Sequence, residues 1–391
     1  MITPVMPTYT RWDVAAERGE GCYLYAADGR KFLDFTSGIA VTSLGHCHPR
    51  LVEAVTEQAG KLWHVSNLFQ IPGQQRLAER LVANSFADTV FFNNSGAEAV
   101  ELSIKVARKY QSHVGHPERY RVISCHGSFH GRSFATLAAA GAEAYLKGFG
   151  PVMEGFDHVA FNNLNEMRAA ITEHTAAILV EPVQGEGGVR APSDDYLKGL
   201  RKICDEFGLL LVYDEVQCGM GRTGRLFAHE WEGVPPDIMA VAKALGNGFP
   251  IGACLATEKA AAGMVAGTHG STFGGNPMAV ACGNAVLDVM LEPGFFERIE
   301  RISRLLRGRL EKLVADYPRL FVELRGSGLL LGIRCNVTAG DVVAKLRGEG
   351  LLCLTAGDNV LRILPPLVVG EREIGEALGI LDKVAREWPA T

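Results

Sequence analysis

The chain has 391 residues, 47% hydrophobic and 21% charged, the balance of a globular protein with a sizeable core and of neither a fibre nor a disordered chain. Its 39 Lys and Arg against 44 Asp and Glu leave a formal net charge of -5 without a basic cluster, which argues against nucleic acid as a partner. No apolar run approaches bilayer length, the N-terminus lacks the basic-then-apolar order of a leader, and the nine scattered Cys form no CxxC pair; the expected setting is the cytoplasm, with no membrane partner and with thiols used as small core residues.

In chain order, Tyr23-Leu24-Tyr25, a turn at Asp28-Gly29 and Phe32–Phe35 read as a hairpin. His46-Cys47-His48 precedes Pro49; neighbours in sequence rarely converge on one metal, and the proline suggests a loop before a helix. Short apolar runs then recur at Val90–Phe92, Arg121–Cys125, Ala177–Val180, Leu209–Tyr213, Met239–Ala242 and Ala253–Ala256. They are bounded by Gly, Pro or polar residues and predict strands buried on both faces, as in a mostly parallel sheet. Helical periods lie between them at Ala97–Tyr110 and Asp194–Phe207, the second stopped by Gly208. Residues 55–290 therefore predict one large α/β domain.

After Glu292-Pro293-Gly294 the pattern changes. Ile299, Ile302, Leu306, Leu310 and Leu313 stripe an amphipathic helix over Phe295–Tyr317. Strands at Gly328–Ile333, Leu351–Thr355 and Leu361–Leu364 and a helix at Arg372–Glu387 make residues 291–391 a smaller α+β domain, which residues 1–54 are expected to join.

The strand ends carry the polar chemistry. Asn94-Ser95-Gly96-Ala97 opens a helix whose free N–H groups and positive dipole end suit a phosphate, although an ordinary N-cap leaves the same trace. Ser128-Phe129-His130-Gly131-Arg132 offers an aromatic ring, a histidine and an arginine in a glycine-broken loop, without the nearby acids that a metal would want. Glu181–Gly188 sets acids among flexible glycines. Asp214-Glu215-Val216-Gln217 follows five apolar residues, placing carboxylates where open α/β sheets bind ligands. Gly219–Gly224 matches G-x-G-x-x-G, but Asp214 to Cys218 separate it from the strand and Pro235-Pro236 follow it, which argues against a dinucleotide site. Lys243 ends an apolar run before a glycine-rich turn; burial would make it the neutral amine that Schiff-base chemistry needs, and a surface lysine is the alternative. His269–Pro277 is a polar loop able to contact phosphate.

Taken in order, Ser95–Ala99, Ser128–Arg132, Glu181–Gly188, Asp214–Gly224, Lys243–Pro250 and His269–Pro277 resemble the segments of the class III, pyridoxal-phosphate-dependent aminotransferases. The likeness covers nearly the whole chain from about Tyr9. Gly38-Ile39-Ala40-Val41, Gly45-His46, His48-Pro49 and His130-Gly131-Arg132 are similar to the acetylornithine branch of that family. The resemblance implies a fold type I α/β architecture: a large domain with a mostly parallel seven-stranded sheet, plus a smaller α+β domain built from both chain ends. It also implies a homodimer with sites at the interface, and pyridoxal 5'-phosphate as cofactor.

Residue by residue, the resemblance makes Lys243 the Schiff-base and proton-shuttling lysine and Asp214 the partner of the pyridine nitrogen. Gln217 would contact the ring hydroxyl, Phe129 would stack on the ring, and Val216 would line the same cofactor site. Ser95, Gly96 and Ala97 would hold the phosphate with Thr272 from the other subunit; Ala97 stands where many relatives have Thr, which removes a hydroxyl contact. Arg132, Arg362 and Ser271 would meet substrate, and Glu186 would swing over Arg362 as a switch between the two substrates. The implied reaction moves the terminal amino group of N-acetylornithine to 2-oxoglutarate, giving N-acetylglutamate 5-semialdehyde and glutamate, as in arginine biosynthesis. Rival readings are a class III enzyme for ornithine, succinylornithine, 4-aminobutyrate or an acylated lysine, an aminomutase, a dinucleotide-dependent oxidoreductase, and a non-catalytic binding protein. The presence of Lys243 and Asp214 argues against the last.

Overall fold

The computed structural model describes residues 3–389. The N-terminal hairpin is joined by one earlier strand: β1 (Ala16–Glu20), β2 (Tyr23–Ala26) and β3 (Lys31–Asp34) form an antiparallel set. The central sheet uses β4 (Thr89–Asn93), β5 (Arg121–Cys125), β6 (Phe156–Val159), β7 (Thr175–Val180), β8 (Leu210–Asp214), β9 (Ile238–Val241) and β10 (Gly252–Ala256). Its order is β4-β10-β9-β8-β7-β5-β6. Every residue of β7, β8, β9 and β10 is buried, as the unbroken apolar runs require when helices cover both faces. β6, with Asp157 and His158 in a four-residue segment, has no such run and is an edge strand.

Only β10 runs against its neighbours. The segment 242–251 joining β9 to β10 is too short for the crossover that parallel neighbours need. Because β10 is antiparallel to both β4 and β9, the other six strands share one direction. The chain after β4, β5, β7, β8 and β9 therefore emerges at one edge of the sheet, where open α/β sheets place their ligands.

Helix Gly96–His113 covers one face through Val100, Leu102, Ile104, Val106 and Ala107. Helices Pro49–Ala59, Pro72–Ala83 and Pro277–Met290 contribute Leu51, Leu77, Leu81, Val286 and Leu287 to the larger core. Helix Tyr196–Phe207 buries Leu197, Leu200 and Ile203 and ends at Gly208, whose φ of 67° is the left-handed cap that glycine adopts at little cost.

The C-terminal third adds β11 (Phe321–Ser327), β12 (Leu330–Cys335), β13 (Leu351–Leu352), β14 (Leu354–Ala356) and β15 (Val360–Ile363). The apolar run at 351–355 is divided at Cys353. β13 pairs in parallel with β3, while β14 completes the antiparallel sheet β11-β12-β15-β14. The two ends of the chain thus share a sheet. Helix Phe295–Asp316 buries Ile299, Ile302, Leu306, Leu310 and Leu313, the stripe read from the sequence. No single helix among the described residues is long and apolar enough to cross a membrane. Eight of the nine cysteines are buried and Cys47 is exposed.

Candidate active site

The five loops at the shared sheet edge enclose a cavity of about 460 Å³. Ser95, Gly96 and Ala97 reach it from the turn after β4, Phe129 to Arg132 from the loop after β5, and Glu181 from the end of β7. Asp214, Val216 and Gln217 come from the end of β8, and Lys243 from the end of β9.

Ser95 is the N-cap of the long helix Gly96–His113, accepting from the Glu98 N–H at 3.2 Å. Glu98 reaches back to the Asn94 N–H at 2.6 Å, so its carboxylate caps the residue just before the helix. Gly96 and Ala97 are the first two helical residues, so their N–H groups have no intrahelical acceptor. Close packing needs the glycines here. A Cβ at Gly96 would lie 2.6 Å from Val216 Cγ1, and one at Gly131, where φ is 135°, would lie 2.7 Å from the Ala97 Cβ.

Asp214 is buried at the strand end. Its Oδ1 accepts from the Val216 N–H at 3.0 Å and its Oδ2 lies 2.8 Å from His130 Nδ1. A carboxylate has about four acceptor positions, so both oxygens retain capacity toward the cavity. Burial alone lowers the His130 imidazole; the bond to Asp214 and the charges of Asp214 and Glu181 outweigh it, and the net shift is upward. Glu181 is pushed up by burial and by Asp214, against the pull of His130. Its oxygens accept from the N–H groups of Phe129 at 3.2 Å and Gly185 at 3.4 Å, which fixes the aromatic loop to the glycine loop. Glu215, the neighbouring acid, faces away: it accepts from Ala228 N and His229 N and lies 2.7 Å from His229 Nδ1.

Lys243 lines the cavity with a φ of 47°, the left-handed region that a non-glycine residue enters only when its surroundings hold it there. The Lys243 carbonyl accepts from Gly246 N–H at 3.1 Å, and the turn that follows is tied down at Asn247, which accepts from Leu44 N at 2.6 Å and donates to Gly45 O at 3.1 Å. Burial lowers the Lys243 pKa; Glu186 raises it and Arg362 lowers it further, leaving a net downward shift.

Arg362, on β15, brings the C-terminal sheet to this edge. Its Nη1 lies 2.5 Å from Glu186 Oε1 and donates to Gln217 Oε1 at 3.2 Å, and its Nη2 donates to Thr355 O at 3.3 Å. The Glu186 loop is tied to the same sheet by Gly357 N–H donating to Glu186 O at 2.8 Å. Arg132 is exposed at the cavity wall, its guanidinium 3.8 Å above the Tyr145 ring.

Four expected site residues do not line this cavity: Glu186 and Arg362 adjoin it through Gln217, and Ser271 and Thr272 are not brought into it by their own chain. Ser271 touches its rim through Asn94 Nδ2 at 3.2 Å, and Thr272 is exposed beside it. The G-x-G-x-x-G segment is a turn followed only by a four-residue 3-10 turn, Ala228–Trp231, and not by an α-helix. Its Arg222 is fully buried and donates to Pro365 O at 2.5 Å, Leu329 O at 3.3 Å and Ser43 Oγ at 3.0 Å, so the segment clamps the two chain ends to the loop after β8. Burial without a carboxylate partner lowers Arg222 to about 9. Sequence reasoning left His130, Glu181 and Tyr145 without roles. The first two were legible as polar residues at strand ends, whereas nothing near Tyr145 in the sequence links it to Arg132.

A family model for "Aminotransferase class-III" matches residues 6–385. The chain belongs to the class III aminotransferase family. An acetylornithine aminotransferase of Mesorhizobium japonicum is 58% identical over 95% of this chain and 93% of its own length. One from Rhodobacter capsulatus is 55% identical over 98% of each. Among solved structures, an N-acetylornithine aminotransferase from Stenotrophomonas maltophilia superposes with a TM-score of 0.85 at 40% identity, covering 97% of both chains. The ornithine aminotransferase of Toxoplasma gondii gives 0.94 at 32% identity, covering 98% of this chain and 92% of its own. For a class III aminotransferase, the mostly parallel seven-stranded sheet with its loops gathered at one edge is the shared scaffold, and the oxidoreductase reading of Gly219–Gly224 falls away.

Proposed function

We propose that this class III aminotransferase moves the terminal amino group of N-acetylornithine to 2-oxoglutarate, a step of arginine biosynthesis, with pyridoxal 5'-phosphate as cofactor. One observation carries the substrate reading: the two arginines of the site are in opposite states, Arg362 covered by Glu186 and Arg132 open on the cavity wall. A donor that reacts at its terminal amine needs a carboxylate anchor far from that amine, and an α-carboxylate anchor near the ring would draw the wrong amine. Planar guanidinium groups suit both carboxylates. The 58% identity to an acetylornithine aminotransferase supports the same donor.

The donor set fits the cofactor. A phosphate matches the free N–H groups of Gly96 and Ala97 beside Ser95, an aromatic ring matches the wall of Phe129 and Val216, and a protonated ring nitrogen matches buried Asp214. When bound, pyridoxal phosphate supplies an electron-accepting ring that carries the amino group between substrates. Lys243 Nζ, made more readily neutral by burial, would hold the cofactor and would be the group to move the proton at the substrate carbon. Asp214, oriented by His130 Nδ1 behind it, would keep the ring nitrogen protonated. Gln217, on the cavity wall and bonded to Arg362, would meet the ring hydroxyl, and Glu186 would leave Arg362 when glutamate presents its α-carboxylate. The site is proposed to be completed in a homodimer, with this chain's Ser271 and Thr272 serving the partner subunit's cavity. Exposed Trp63, Leu68, Phe69 and Phe273 lie near that loop, and the His64 and Phe273 rings are 5.1 Å apart. A cytoplasmic location is part of the same proposal.

The test compares kcat/KM for N-acetylornithine, N-succinylornithine, ornithine, 4-aminobutyrate and N-acetyl-lysine with 2-oxoglutarate as acceptor. N-acetylornithine is expected to rank first; a higher value for any other donor reassigns the substrate. Lys243→Ala is expected to abolish turnover while still retaining cofactor, and normal turnover by that variant would remove the lysine from the mechanism.

A further inference from the structure

We propose that Tyr145 is a positioning residue that holds Arg132 flat for the distal carboxylate of both substrates, an inference that rests on the transaminase reading above. The Arg132 Cζ sits 3.8 Å from the centre of the Tyr145 ring. Among the described residues Arg132 forms neither an ion pair nor a side-chain hydrogen bond, so the aromatic face is its one strong contact, with the Phe129 ring further off at 5.6 Å. Phe129 and Tyr145 meet edge to face, with ring centres 6.1 Å apart and an interplanar angle of 87°. Tyr145 therefore spans the ring that walls the cofactor cavity and the arginine that faces the substrate.

The chemistry of stacking explains why such a contact matters at this place. A guanidinium laid on an aromatic face is held through its π surface, which leaves its N–H edges free for a planar carboxylate. A carboxylate partner in the protein would hold the arginine equally well but would occupy those donors. An exposed arginine with no partner would pay for its ordering in side-chain entropy each time substrate binds. Tyr145 sits in a short helix, Glu143–Leu146, after the left-handed turn at Gly141, and it is half-buried. Its hydroxyl makes no hydrogen bond among the described residues, so the ring alone carries the role.

The experiment uses the holoenzyme and two readouts. Glutarate, a dicarboxylate with neither an amine nor a keto group, is titrated calorimetrically as the probe of the carboxylate anchor. Tyr145→Ala and Tyr145→Leu are expected to weaken glutarate about three- to tenfold and to raise KM for amino donor and for 2-oxoglutarate by similar factors. The fall in kcat is expected to be smaller, and the visible cofactor band to be unchanged. Tyr145→Phe is expected to restore wild-type affinity, since it keeps the ring. On an Arg132→Ala background Tyr145→Ala is expected to add nothing. Unchanged glutarate affinity in Tyr145→Ala, a Phe variant as poor as the Ala variant, or additive losses on the Arg132→Ala background would each overturn the proposal. If the wild-type enzyme prefers another donor, the substrate reading fails while the glutarate comparison still decides the role of Tyr145.

Discussion

Asp214 and Glu215 show how much a single position along the chain decides. Asp214 points into the cavity with His130 2.8 Å behind it, while Glu215 is spent on the backbone and ring of His229. Because the bond and charge of Asp214, with a smaller contribution from Glu181, oppose burial at His130, Asp214→Asn is expected to lower the His130 pKa, read by NMR titration of its ring protons. The same variant is expected to slow turnover by at least about a hundredfold with cofactor still bound; wild-type single-turnover rates would give Asp214 another role. Glu186 and Arg362 act on Lys243 with opposite signs, Glu186 raising its pKa and Arg362 lowering it. Glu186→Gln removes the raising charge, so the pH dependence of a carbonyl reagent reacting with Lys243 in the apoenzyme is expected to move to lower pH. Arg362→Ala should move it to higher pH. Glu186→Gln is also expected to slow the acetylornithine half-reaction selectively, and equal effects on both halves would exclude a switching role.

At the scale of elements, the site depends on a strained turn next to it. Ser37, Gly38, Ile39 and Ala40 all have left-handed φ values, from 46° to 67°, and they lead to Val41 on the cavity wall. Buried Asp34 holds the turn. Its carboxylate accepts from Thr36 N at 2.8 Å, Thr36 Oγ1 at 2.6 Å and Ser37 N at 3.2 Å, and lies 2.8 Å from His46 Nε2. Burial raises its pKa, but these bonds and the charge of His46 outweigh burial and the net shift is downward. A carboxylate whose folded pKa is depressed contributes stability that is present above its unfolded pKa of about 3.9 and lost as pH falls toward the folded value. Asp34→Asn is therefore expected to lower stability at neutral pH and to flatten the acid limb of the stability profile below about pH 4, measured by urea unfolding. An acid limb as steep as wild type would show that the turn is held by other contacts.

For the whole molecule, the question is what completes the cavity. Ser271 and Thr272 stand outside their own chain's site, beside a patch of exposed aromatic and aliphatic side chains. The active unit is expected to be a dimer by sedimentation at assay concentration. Mixing Lys243→Ala with Thr272→Ala, if each is severely impaired, is expected to restore partial activity in hybrids, because one of the two hybrid sites then carries both intact residues. A fully active monomer would contradict the arrangement.

Read by itself, the sequence located six of the seven central strands, the glycine-capped helix at 196–207, the amphipathic helix at 295–316 and the polar segments that supply the cavity loops. Those features are local: unbroken apolar runs report burial on both faces, and residues three and four apart report a helix face. β1, β6 and β11 escaped because their residues are largely exposed or polar and leave no such period. The family resemblance already named Asp214 rather than Glu215 and set Glu186 over Arg362; the tertiary structure alone decided that His130 backs Asp214 and that Arg132 lies on Tyr145. It also decided that a glycine motif shaped like a nucleotide loop spends its arginine on three oxygens from the two chain ends. The physical reason is the same in each case. Periodicity records whether a side chain is buried, while its partner is set by strand order and loop direction, which bring together residues far apart along the chain.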